Sequence, residues 1–93
     1  MDRQEVAETL ALRALGWLMA DEGQRDAFMA ATGTDPRDLG RLVREPEFLG
    51  AVLDFLLADE PRLLAFCEAE AVRPEDPMRA RAALPGGDLP HWT

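Results

Sequence analysis

The sequence predicts an all-α protein, a compact bundle of five or six short helices. Three observations carry that expectation. The hydrophobic fraction is 47%, supplied by Ala, Leu, Val, Met and Phe, mostly good helix formers. Helix punctuation recurs along the chain, as an Asp before a helical run, a Pro at its first position or a Gly just past its end. The chain also nearly repeats itself: "LMADEG" at Leu18 to Gly23 returns as "LLADEP" at Leu56 to Pro61. Laying Leu15–Asp38 over Leu53–Asp76 without a gap gives 10 identities in 24 positions. Because an ungapped match keeps every helical phase in register, it predicts two pseudo-repeated three-helix units packed on each other.

The elements follow in order. A first helix is expected from about Arg3 to Met19, with Val6, Leu10, Ala14, Trp17 and Leu18 on one broad apolar side. Asp21 reads as the N-cap of a second helix running to about Thr32, with Gln24 completing a capping box and Gly33 as the left-handed residue beyond its end. Asp35 caps a third helix over about 36–44, with Pro36 at its first position. Pro46 opens a fourth whose run Phe48, Leu49, Val52, Leu53, Phe55, Leu56, Leu57 is apolar nearly all round, which makes it central. Asp59 caps a fifth as Asp21 caps the second, and Pro61 is tolerated because first-turn amides have no intrahelical partner. Pro74 opens a sixth, expected to end at Leu84 before Pro85-Gly86-Gly87.

Ninety-three residues suffice for one core, so residues 1–87 form a single helical domain and 88–93 a C-terminal tail, frayed or laid back on the domain through Leu89 and Trp92. No apolar run approaches the roughly 18–20 residues of a membrane span, and no leader pattern opens the chain, which predicts a cytoplasmic location. A single cysteine, Cys67, and a single histidine, His91, exclude an intramolecular disulfide and a zinc site of the usual kind, and no cofactor is expected. The net charge of −8 sets the chain against nucleic acid and anionic membranes as partners. Ser, Lys, Ile, Asn and Tyr are absent, and every basic residue is Arg.

Three stretches, "LALRALGWLMADE", "FLGAVLDFLLADEPRLLAF" and "RARAALPGG", resemble a family of small alphaproteobacterial helical proteins known only as a domain of unknown function. The likeness spans Leu10 to Gly87. It implies an all-helical fold and brings no activity, cofactor or site residue with it.

The doubled acid pairs Asp21/Glu22 and Asp59/Glu60 invite a catalytic reading, which needs carboxylates converging on a cleft. Adjacent residues at a helix start diverge by about 100 degrees, and Asp turns to its own backbone amides; capping explains both copies and their spacing. The stretch "ATGTDPRDLGRLVRE" outlines a helix-turn-helix, with Arg37, Arg41 and Arg44 on one face within about 60 degrees, as a DNA reader would present them. Against it stand the acidic chain, Thr34 in place of an apolar turn residue, and Glu75 at the Arg37 position of the second copy. An exposed face with local pairs such as Arg41 to Glu45 explains the same arginines. Arg13 lies on the apolar side of the first helix, where it is either partly buried with its guanidinium held by a carboxylate or helix C-terminal carbonyls, or snorkels to solvent. Cys67 reads as a small buried hydrophobe without a base to activate it.

No catalytic set emerges, so the chain is expected to be a non-enzymatic cytoplasmic protein-interaction or adaptor module, with its site in a groove between helices or on Leu89 and Trp92. Two alternatives stay open: a helix-turn-helix-like nucleic-acid regulator using Arg37, Arg41 and Arg44, and a small-molecule binder. A homodimer also stays open, since small helical domains often complete their cores by pairing.

Overall fold

Asp2 starts the first helix: its carboxylate accepts the Glu5 amide at 2.8 Å while the Glu5 side chain accepts the Asp2 amide at 3.4 Å, a reciprocal capping box. The computed structural model describes residues 2–86. Among them six α-helices run in order: α1 Arg3–Met19, α2 Glu22–Thr32, α3 Leu39–Leu42, α4 Pro46–Leu57, α5 Glu60–Glu70 and α6 Glu75–Ala82, with a 3-10 turn at Pro36–Asp38 before α3. The all-α expectation holds. The proposed tail, with Leu89, His91 and Trp92, lies outside the described residues.

The expected punctuation is in place at most boundaries. Asp21 accepts the Gln24 amide at 2.8 Å, Asp59 accepts the Arg62 amide at 3.1 Å, and Gly33 closes α2 at φ 69°. Ala71 closes α5 in the same left-handed region, at φ 55°, where a Cβ is strained. The Val72 N–H then donates a hydrogen bond to the Cys67 carbonyl at 3.0 Å, a Schellman-type closure.

Three expectations are corrected. Gln24 does not complete a capping box, because its side-chain oxygen accepts from Arg62 Nε at 2.6 Å. The single third helix becomes a 3-10 turn and one short α-helix: the Asp35 carboxylate takes the Arg37 amide two residues on, and the Asp38 amide then closes on the Asp35 carbonyl. The chain unwinds again before Pro46, whose ring disfavours helical geometry at Glu45. Finally, α6 ends at Ala82, and tightened bonds from the Ala83 and Leu84 amides carry the chain to Pro85.

The core sits where α1, α4 and α6 meet, with α2 and α5 flanking. α4 is central as expected, burying Phe48, Leu49, Gly50, Val52, Leu53 and Leu56. Phe28 of α2 meets the Phe48 and Phe55 rings edge-on at 6.0 and 5.3 Å, and Phe66 of α5 meets Trp17 at 5.7 Å. Residues 38 apart in sequence thus recur in related contacts. Gln24 bonds Arg62 directly, and Phe28 on Phe55 has its counterpart in Phe66 on Trp17. The third segments are unlike, however: α3 is a four-residue helix, whereas α6 is an eight-residue helix packed on both α1 and α4. The described residues form one globule around one core, not two like units side by side.

Two arginines are built into this packing. Arg62, 17% exposed, lies 4.1 Å over the Phe55 ring and pairs with Asp59. Arg81, 16% exposed, crosses α4 at Gly50, donating from Nε to Asp54 at 2.6 Å and from Nη1 to the Pro85 carbonyl at 3.0 Å. A Cβ on Gly50 would stand 2.7 Å from Arg81 Nη1, so the glycine makes the crossing fit. Both arginines engage partners through Nε and Nη1 while lending aliphatic stems to the core edge.

Candidate functional site: a groove between the first and last helices

α1 presents Ala7, Leu10, Ala11 and Ala14 inward, and α6 answers with Ala80. Alanines let two helices approach but leave open the space a larger side chain would fill. Where α1 runs past the α5–α6 connection, a groove of about 770 Å³ opens, with Ala7, Leu10 and Ala80 in its floor and Val6 and Val72 on its walls. Val6 was expected on the buried side of α1; it is 52% exposed because nothing among the described residues covers this end of the stripe.

The charge around the groove runs against that of the chain. Arg3, Arg13 and Arg79 line it with a single acid, Asp76, while the whole chain carries 18 acids to 10 bases. Arg13 is fixed: its Nη2 donates to the Glu70 carbonyl at 2.6 Å and meets the Glu70 carboxylate at 3.4 Å. Both partners anticipated for it, a carboxylate and a helix C-terminal carbonyl, are supplied by one residue. Arg79 reaches Asp76 only at 3.9 Å, and Arg3 makes no ion pair among the described residues. Two guanidinium groups therefore keep N–H donors facing solvent beside an apolar floor.

The arginines singled out from sequence lie elsewhere. Arg37 is on the 3-10 turn and is held by its neighbour Asp35, with Nη2 to Oδ2 at 2.7 Å; Arg41 is on α3 between Asp38 at 3.8 Å and Glu45 at 3.1 Å; Arg44 follows α3. None of them lines the groove. The Arg37 guanidinium, and then its backbone amide, hold the Asp35 carboxyl below its ordinary value, and Asp35 in return raises Arg37. Asp21, Asp35 and Asp59 are the helix-start residues described above, whose carboxylates face local amides instead of a shared cleft, and the Gln24 side-chain amide is engaged by Arg62.

Cys67 is buried on α5, and burial, with the charges of Asp76 and Glu75 added, pushes its thiol up from its ordinary value. Among the described residues no group of three His, Cys, Asp or Glu side chains is placed to hold a metal, and no buried side-chain nitrogen or oxygen lacks a hydrogen-bond partner. No helix among them is long and apolar enough to cross a membrane.

Sequence reasoning allowed for a groove between helices without locating it. The groove depends on α1 meeting α6, a pairing that no periodicity announces. The available signal was compositional: "RARAALPGG" offers only small apolar residues before Leu84, so it cannot cover a wide stripe on its neighbour.

Fold and groove together define a small all-α domain with an open apolar cleft rimmed by arginine. Within that class the chain belongs to the DUF3572 family, a protein of unknown function, whose family model matches residues 4–87. Neither the curated proteins nor the solved structures contain a match.

Proposed function

We propose that this chain is a non-enzymatic protein-interaction module and that the α1–α6 groove is its docking surface. One observation carries the reading: a half-exposed valine and a buried leucine lie in one apolar groove whose rim bears the charge opposite to that of the chain. Apolar grooves with a few polar groups at the rim are where proteins take up segments of other proteins. The chemistry elsewhere supports the same reading, since the one thiol is buried and held protonated, and the paired carboxylates serve helix starts.

The test compares affinity capture from source lysate by the wild-type chain and by Val6→Asp. Val6 is half exposed, so the variant retains its fold, checked by circular dichroism, while a charge enters the groove. A partner held by the wild type and lost by the variant is the expected result. Identical captured sets would refute the groove as the docking surface.

A further inference from the structure

We infer that the occupant of the groove is an acidic, amphipathic helical segment of a partner protein, a reading that rests on the groove being the docking surface. Charge complementarity carries it. The apolar lining, with Leu10 in the floor and Val6 and Val72 on the walls, calls for aliphatic or aromatic side chains, and the rim, three arginines to the single acid Asp76, calls for carboxylates. Arg3 and Arg13 lie ten residues apart on α1, about 15 Å along its axis at 1.5 Å per residue. A segment of about ten helical residues matches that length and can send Asp or Glu to both ends while its apolar stripe rests between.

Arg3 has no ion-pair partner among the described residues, and Arg79 has only the long contact to Asp76, so both can take up carboxylates without breaking a strong bond. Arg13, anchored to the Glu70 carbonyl, offers a positioned guanidinium that need not be ordered on binding. A basic segment would meet three arginines against one lining acid, Asp76. An isologous pairing of two copies through this groove would set two arginine-rich rims against each other, six arginines to two acids.

The probe is a synthetic twelve-residue peptide with leucine and phenylalanine at helical spacing and glutamate elsewhere, titrated into the full 15N-labelled chain at about 50 mM salt. A second peptide carries lysine at every glutamate position. The acidic peptide is expected to shift the amides of Val6, Leu10 and Val72, to weaken at about 300 mM salt, and to bind at least tenfold more tightly than the lysine peptide. In the double variant Arg3→Gln, Arg79→Gln its affinity should fall at least fivefold; both side chains are exposed, so the fold is kept. Equal binding of the two peptides, unchanged affinity in the double variant, or shifts confined to other helices would each overturn the inference.

Two other occupants would overturn it as well. Deletion of residues 87–93 shifting the same groove amides without peptide would assign the groove to the chain's own C-terminal segment. A concentration-dependent dimer abolished by Val6→Asp would assign it to a second copy. If Val6→Asp strips a captured partner while the acidic peptide shows no preference, only the acidic assignment falls and the docking surface stands. If both experiments fail, the docking surface falls with it.

Discussion

Two residues at matching positions of the 24-residue alignment, Gly33 and Ala71, end their helices in the left-handed region, one without a Cβ and one with. Exchanging them should move stability in opposite directions. An L-residue with a Cβ pays about 1–2 kcal/mol for the left-handed conformation, whereas glycine loses about 0.5–1 kcal/mol more backbone entropy on folding. The difference leaves Ala71→Gly stabilising by about 0.5–1 kcal/mol and Gly33→Ala destabilising by about the same. No atom lies within 4 Å of a Cβ built on Gly33, so the second change contains no clash, and Ala71 is exposed, so the first sacrifices little packing. For a domain of this size the shifts correspond to about 2–8 °C in Tm. Urea and thermal unfolding followed by far-ultraviolet circular dichroism reads both, with an unchanged urea slope showing that the unfolded state is the same. If the two variants move Tm in the same direction, backbone strain is not what distinguishes these helix ends.

Three further predictions concern the anchors of the fold. Asp21→Ala should cost about 1 kcal/mol as a lost cap, and Asp59→Ala nearer 2 kcal/mol because it also strips a partner from the largely buried Arg62; equal costs in urea unfolding would mean that Arg62 draws nothing from Asp59. Gly50→Ala should destabilise by about 1 kcal/mol by pushing Arg81 off Asp54, yet stabilise by about the same in an Arg81→Ala background, where only helix propensity remains; the same sign in both backgrounds would contradict the crossing. The buried thiol of Cys67 holds its proton more tightly folded than unfolded, so its stabilising contribution is complete below the ordinary thiol value of about 8.5 and is lost as pH rises from there toward the folded value. Urea midpoints measured from pH 7.5 to 10 should therefore fall for the wild type relative to Cys67→Ala, and parallel curves would count against it.

Local chemistry made much of this fold readable. Asp21, Gly33, Pro46 and Asp59 act on the few residues beside them, and the helices they bound lie where those residues put them. What failed were features decided by distant partners. Gln24 has the spacing of a capping box, but Arg62, 38 residues on, outcompetes the Asp21 amide for its oxygen. Val6 sits on the apolar stripe of α1, but whether a stripe is covered depends on the helix that meets it, and α6 offers the small side chain of Ala80 to the groove. The groove was for that reason invisible as a place, though its ingredients stood in the sequence. Arg41 pairs with Glu45 as the spacing of four predicts, and Arg37 pairs with Asp35 two residues away.

The meeting of α1 and α6 also bears on how the protein is made. α1 is synthesised before α6, so the alanine and leucine face that it buries against α6 finds that partner only after some 60 further residues have been synthesised. An all-helical chain is usually a fast folder because its contacts are local, but this one closes through its most distant pair. Until α6 emerges, the strip of α1 that packs on it stays uncovered, although α2 and α4 are already present to cover the rest. Synthesis and folding are thereby coupled, and the last helix to arrive completes the core of the first.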